Sequence, residues 1–203
     1  KATWMQIGAH LPSVKPISPI EINEIESRKY FLFFGRISKY KGIGNLIDAF
    51  NMIDSENKPF LVIAGSGKFT ENEEKLLNET KKIIQINRYI DDGEMVYLIK
   101  NSISVVLPYI EASQSGVIPI AYYLGIPVIT SDVPGLTEYV VDRESGLICS
   151  SNFEIKEAML SLLNKDFYSC LKEGAKKYYE NNLNWETNLN RCLKYLLEGG
   201  KVK

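Results

Sequence analysis

Residues 102–131 read "SISVVLPYIEASQSGVIPIAYYLGIPVITS", and this stretch decides the fold. A β-branched run ending at Pro108 gives way to a short polar turn. An apolar segment from about residue 114 to 124 then fits a buried helix, and a second apolar run occupies 126–131. Continuous apolar strands separated by a helix predict parallel strands covered on both faces. The same alternation extends upstream. "YFLFFG" (30–35) reads as a buried strand, with Ile43, Leu46, Ile47 and Phe50 following at helical spacing. "PFLVIAG" (59–65) is the next strand, followed by a polar helix whose apolar stripe is Leu76, Leu77, Ile83 and Ile84. A short strand at "NRYI" (87–90) leads into "DDGEMVYLIKN", where Asp91 or Asp92 fits an N-cap. Beyond "GLICS" the chain turns helical: Ile155, Ala158, Met159, Leu162 and Leu163 share one face, and Leu189, Cys192, Leu193, Leu196 and Leu197 repeat that spacing. The expected fold class is α/β, a doubly wound, mostly parallel sheet with C-terminal helices.

Composition bounds the function. At 203 residues the chain can bury a sizeable core as one large domain or two small ones. Its 24 basic and 25 acidic side chains leave a net charge of −1, so no global field draws it to nucleic acid or an anionic membrane, and any basic site must be local. The cysteines, Cys149, Cys170 and Cys192, form no CxxC pair and read as reduced core or near-core thiols of a cytoplasmic protein. No run of about 18 apolar residues is present to span a membrane. The start lacks the apolar region of a signal peptide. It also lacks an initiator Met, and the expectation is a piece of something longer. Residues 1–29, with the Pro-rich "LPSVKPISPIE", read as a linker or strap.

In doubly wound sheets, ligands sit beyond the carboxyl ends of the strands, where loops enter helices. Four loops qualify. In "GRISKYKG" (35–42), Gly35 ends the strand, Arg36 follows, and Lys41 precedes the next helix. A guanidinium can grip two phosphate oxygens while an ammonium adds a point charge, which suits a diphosphate; a solvated surface loop is the plainer alternative. In "YIEASQSG" (109–116), Ser113, Ser115 and Gly116 precede an apolar helix whose first amides can hold an anion, although a serine before a helix is more often a cap. Glu111 is a single carboxylate at that mouth, suited to sugar hydroxyls rather than to a general acid/base pair. "GSGK" (65–68) matches neither familiar nucleotide fingerprint, and Lys68 reads as solvated. In "SDVPGLTE" (131–138), Asp132 reads as a capping residue and Glu138 as a surface one. His10 is the only histidine, so no histidine triad or metal cluster can be assembled within the chain.

Taken in order, "FFGRISKYKGIGNLIDAF", "LVIAGSG", "VVLPYIEASQSGVIPIAYYLGIPVITSDVPGLTEYV", "SGLI" and "NWE" resemble the C-terminal half of the family 4 glycosyltransferases of GT-B fold, with Gly35-Arg36 and Lys41-Gly42 matching the family's GRxxxxKG. The resemblance runs from about residue 30 to the end. It implies a Rossmann-like nucleotide-sugar-binding domain over 30–184 and a final helix, 185–203, that either docks on its own domain or crosses to an absent N-terminal domain. It implies a retaining hexosyl transfer from a nucleotide diphosphate sugar to a saccharide or lipid-linked acceptor, with no cofactor and no metal. The setting would be polysaccharide or glycolipid assembly in the cytoplasm, possible peripheral contact with the inner face of the membrane being made through the absent domain. Carried over residue by residue, Arg36 and Lys41 bind the leaving diphosphate, the amides around Ser115, Gly116 and Val117 cradle it, and backbone at Arg88, Tyr89 and Ile90 meets the base. Glu111 corresponds to the first glutamate of the family's E-x7-E pair and contacts the donor sugar. The second glutamate, the usual ribose ligand, is absent, with Pro119 and Ile120 in its place, and Ser113 or Ser115 becomes the candidate for the ribose. The paired glycines before the last glutamate are likewise Pro134-Gly135. The rival readings are a GT-B sugar-nucleotide epimerase or phosphorylase, and a non-catalytic nucleotide-binding module. Alone, the chain is expected to bind donor without turnover.

Overall fold

The computed structural model describes residues 14–25, 29–54 and 58–197. His10 lies outside them. After a 3-10 turn at Ile20–Ile25, the elements are β1 (Tyr30–Phe34), α1 (Ile43–Asn51), β2 (Phe60–Ala64), α2 (Glu71–Glu79), β3 (Ile83–Ile86), α3 (Asp92–Asn101), β4 (Ser104–Leu107), α4 (Val117–Tyr123), β5 (Val128–Ser131), α5 (Pro134–Thr137), β6 (Gly146–Cys149), α6 (Asn152–Ser161), α7 (Lys165–Tyr178), a π-helical turn (Tyr179–Leu183) and α8 (Trp185–Leu197). The strands form one sheet of order β3-β2-β1-β4-β5-β6, and every pairing is parallel.

The β-branched and aromatic runs explain this architecture. Phe31, Leu32, Leu61, Val62, Val105, Val106, Val128 and Ile129 are all fully buried, so the central strands are covered on both faces, as their unbroken apolar sequences require. Each such side chain contributes about 2 kcal/mol of burial free energy. The order reverses between β1 and β4, where Phe31 pairs with Ser104 and Leu32 with Val105. Chains leaving these two neighbours toward helices on opposite sides open the crevice in which such folds hold ligands.

Several expectations are corrected. Ile83 and Ile84 do not extend the stripe of α2. Thr80 stops that helix, its hydroxyl donating to the Leu76 carbonyl, and Lys82 takes a φ of +65°. The two isoleucines then pair with Leu61 and Val62, so the third strand is 83–86 and not 87–90. The segment 87–90 is a loop. Helix α4 begins at Val117 rather than at Gln114, and its buried Pro119 falls in the first turn, where a missing amide costs nothing. Asp132 caps no helix; Val133 holds that position, with Pro134 first in α5. Asp91 rather than Asp92 caps α3, in a reciprocal pair with Glu94. Cys149 is buried and Cys192 half-buried, but Cys170 is exposed. On α8, Trp185, Leu189, Leu193 and Leu197 are exposed, Cys192 is half-buried, and Asn188 on the same helix is buried. Among the described residues, no helix is long and apolar enough to cross a membrane.

Candidate active site

The exits of β1 and β4 are laced together. Gly35 prolongs β1 by donating its amide to the Ala64 carbonyl, and Ile37 bridges to Gly67. A 3-10 turn at Lys39–Lys41 then brings the chain to Gly42, whose φ of +63° and contact with Pro108 both demand glycine: a Cβ there would stand 2.0 Å from the Pro108 carbonyl oxygen. The Ile110 amide donates to the Tyr40 carbonyl at 2.8 Å and closes the seam.

That seam fixes Lys41. Its ammonium lies 3.5 Å from the centroid of the Tyr109 ring and 5.0 Å from that of Tyr40. Burial penalises the charge and lowers the Lys41 pKa to about 8. Among the described residues, neither Lys41 nor Arg36 has an acidic partner. Tyr109 is buried, and burial pushes its phenol up to about 12, against a smaller opposing effect of the Ser115 hydroxyl. The Tyr109 hydroxyl and Ser115 Oγ are 3.5 Å apart, and Ser115 Oγ accepts the Val117 amide at 3.4 Å. One aromatic ring therefore connects Lys41, from the β1 exit, with the start of α4. Sequence reasoning passed over Tyr109, because a tyrosine closing an apolar run reads as core.

Helix α4 is held from behind by the Tyr122 hydroxyl donating to Ser145 Oγ, and by edge-to-face contacts of Tyr122 with Tyr178 and Tyr123 with Tyr179. Its N-cap residue, Gly116, brings no side chain, so apart from the Ser115 hydroxyl on the Val117 amide the first turn is left without a cap, and a Cβ on exposed Gly116 would meet nothing within 4 Å. Helix α1 differs. There the buried carboxylate of Glu73 accepts the Gly44 amide at 3.2 Å while also closing the capping box of α2 with Thr70. The positive end of α1 is thus occupied by the protein's own anion.

Arg36 is exposed and, with Gly35, Gly65, Ser66, Gly67, Tyr89 and Ile90, lines a cleft of about 560 Å³ beyond β1 and β2. Glu111 and Ser113 are exposed on the turn that follows β4, and Ser115 is buried. The turn is seated by Gly135, where a Cβ would clash at 2.3 Å with the Ala112 carbonyl oxygen, so the second glycine of the altered pair still serves a close approach. A smaller cavity of about 310 Å³ opens beyond β4, β5 and β6, between Tyr109, Ser131, Cys149 and Asn152.

Arg88 serves in another way than its backbone place suggests. Its guanidinium donates to both carboxylate oxygens of Glu21, to both of Glu94 and to the Tyr89 carbonyl, at 2.7–3.1 Å. The hydrogen bonds it donates to Glu94 and Glu21 raise the Arg88 pKa, and Arg88 in turn lowers those of both carboxylates. Among the described residues, no group of three or more His, Cys, Asp or Glu is placed to hold a metal.

The description of the Glycosyl transferases group 1 family matches residues 15–185. Among curated proteins, uncharacterized glycosyltransferase MJ1069 of Methanocaldococcus jannaschii is 27% identical over 169 residues, which make up 80% of this chain and 43% of that protein. The chain thus spans less than half the length of the curated relatives it matches. Among solved structures, sucrose-phosphate synthase from Thermosynechococcus elongatus superimposes with a TM-score of 0.75 at 20% identity, over 96% of this chain and 52% of that one. Anabaena HepE, solved in complex with UDP-glucose, gives 0.71 at 15%, over 90% of this chain and 54% of that one. The family match covers most of the chain and the neighbours share its Rossmann-like fold: the protein belongs to the glycosyl transferases group 1 family.

Proposed function

We propose that this chain is the donor-binding half of a retaining glycosyltransferase that moves a hexose-type sugar from a nucleotide diphosphate sugar to a saccharide or lipid-linked acceptor. The observation that carries the reading is the half-buried ammonium of Lys41 on Tyr109, without an acidic partner among the described residues, at the β1/β4 switch point of the sheet, with exposed Arg36 following the same strand. A cation held out of water without an internal anion is a site built for an external one. The bond from the anomeric carbon to the diphosphate breaks with its electron pair on the departing oxygen; an acceptor hydroxyl replaces it on the same face and gives up its proton to the departing diphosphate. Arg36 and Lys41 neutralise the charge that grows on the diphosphate, an effect larger in the transition state than in the bound donor. The start of α4 at Ser115, Gly116 and Val117 is assigned to the same group, and exposed Glu111 takes sugar hydroxyls.

With Pro119 and Ile120 at the place of the second glutamate, the ribose falls to Ser113, the exposed member of the serine pair. The base rests against backbone at Tyr89 and Ile90. HepE binds UDP-glucose, which supports a nucleotide-sugar donor for the present fold. Residues 30–184 form the binding domain. The exposed stripe on α8 supports a helix that crosses to a domain outside this chain, which would supply the acceptor site and any contact with the membrane's inner face. No cofactor or metal takes part in this scheme, and the chain alone binds donor without turnover.

The test is calorimetry with UDP, GDP, ADP and dTDP. Binding of one in preference to the others is the expected result; binding of none overturns the proposal.

A further inference from the structure

At the exit of β3, the side chain of Arg88 is wholly committed to partners within the protein. A guanidinium has five N–H donors, and all five of Arg88 are used: Nε and one terminal nitrogen grip Glu21 at 2.8 and 2.9 Å, the two terminal nitrogens grip Glu94 at 2.7 Å each, and the fifth donor holds the Tyr89 carbonyl at 3.1 Å. The two carboxylates come from separate elements. Glu94 sits in the first turn of α3, where it also accepts the Asp91 amide. Glu21 belongs to the 3-10 turn ahead of β1, anchored by buried Ile22 and Ile25, while the strap before it donates the Ile17 amide to the Gly93 carbonyl. Arg88 is therefore a rivet between the strap and α3.

The backbone that Arg88 fixes is the wall of the larger cleft. Tyr89 and Ile90 line it. Among the described residues, the amides of Tyr89 and Ile90 and the Ile90 carbonyl have no hydrogen-bond partner, whereas the Tyr89 carbonyl is taken by Arg88. Free donors and an acceptor on an immobilised segment can read the edge of a base, and they discriminate only as well as the segment is held.

We propose that Arg88 is a positioning residue: clamped by Glu21 and Glu94, it sets the Tyr89–Ile90 backbone so that those free groups meet the nucleotide base. This rests on the donor-site reading above. With every donor spent inside the protein, Arg88 has none for the diphosphate, which is left to Arg36 and Lys41. The strap and the base site become one unit, so a change at Glu21 is felt at the base.

The experiment separates base from diphosphate. Affinities of the chain for UDP, GDP, ADP, dTDP and inorganic pyrophosphate are measured for the wild type, Arg88→Lys and Glu21→Gln. The expected result is a loss of about tenfold for the preferred nucleoside diphosphate in Arg88→Lys, a smaller loss in Glu21→Gln, reduced discrimination among the four bases, and pyrophosphate affinity within twofold of wild type. Should Arg88→Lys fail to fold, Glu21→Gln carries the test, since it breaks one grip and leaves Glu94 in place. Equal losses for nucleotide and pyrophosphate, or an unchanged ratio, overturn the assignment of Arg88 alone. A wild-type chain that binds neither ligand overturns the donor-site reading and this inference with it.

Discussion

Arg88 and Lys41 stand at the exits of different strands of one sheet, and their surroundings are opposite. Arg88 is matched donor for donor by carboxylates and a carbonyl, and its charge is stabilised. Lys41 rests on a tyrosine face with no acidic partner among the described residues, and its charge is penalised by burial. A cation in a loop is thus not evidence of a ligand until its partners are counted. A satisfied cation belongs to the scaffold, and a half-buried unsatisfied one is poised for an anion from outside.

The contrast predicts crossed effects. Lys41→Met should weaken nucleoside diphosphate binding by about 1 to 3 kcal/mol, the worth of charge-assisted hydrogen bonds. It should not lower stability at pH 7, and should raise it if anything, because it removes a charge that burial penalises and that has no acidic partner to lose. Arg36→Ala should act in the same direction on binding. Calorimetry and urea unfolding check both halves, and a large stability loss in Lys41→Met would break the comparison. Arg88→Ala should do the reverse, lowering unfolding free energy by about 2 kcal/mol, less than a fully buried network loses because Arg88 is partly solvated. Its affinity for pyrophosphate should hold.

How far the sequence carried follows the same line between local and distant information. The strand–turn–helix–strand unit at 102–131 was legible because its strands are unbroken β-branched runs, and Arg36 and Lys41 were legible as loop cations beside a strand end. Ile83 and Ile84 were misread because they continue the period of Leu76 and Leu77, while the positive φ of Lys82 that separates helix from strand leaves no trace in the pattern. Glu94 is near Arg88 in sequence, but Glu21 is 67 residues away, so the rivet was invisible. Glu73 was equally hidden, since its Gly44 partner is 29 residues off. The exposed stripe of α8 was read as a choice between two docking arrangements, because amphipathic spacing names a face and not what covers it.

The pH dependence of binding sharpens the contrast. A bound diphosphate favours protonated Lys41, so its pKa rises on binding from about 8 in the free protein. Binding above pH 8 therefore takes up a proton, and affinity should fall as pH rises past 8, by at most about tenfold per unit. Lys41→Arg, charged throughout, should flatten that slope. A wild-type affinity that is level from pH 7.5 to 9.5 would remove Lys41 from the site. Stability runs the other way: the unfolded lysine, near 10.5, holds its proton longer than the folded one, so the Lys41 contribution to stability rises between about pH 8 and 10.5.

The smallest effect tests the same distinction at the two helix starts. Helix α1 has an internal anion in Glu73, and α4 has only the neutral Ser115 hydroxyl on its Val117 amide. Glu73→Gln keeps the volume and one acceptor oxygen but turns the other into a donor, which cannot serve both the Gly44 and Thr70 amides. The loss should be about 1 kcal/mol of stability by urea unfolding, with nucleoside diphosphate affinity unchanged, because the proposed anion site lies with Lys41, Arg36 and α4. If Glu73→Gln instead tightened nucleotide binding, the vacated start of α1 would be competing for the phosphate. The division between a scaffold end and a ligand end would then have to be redrawn around α1.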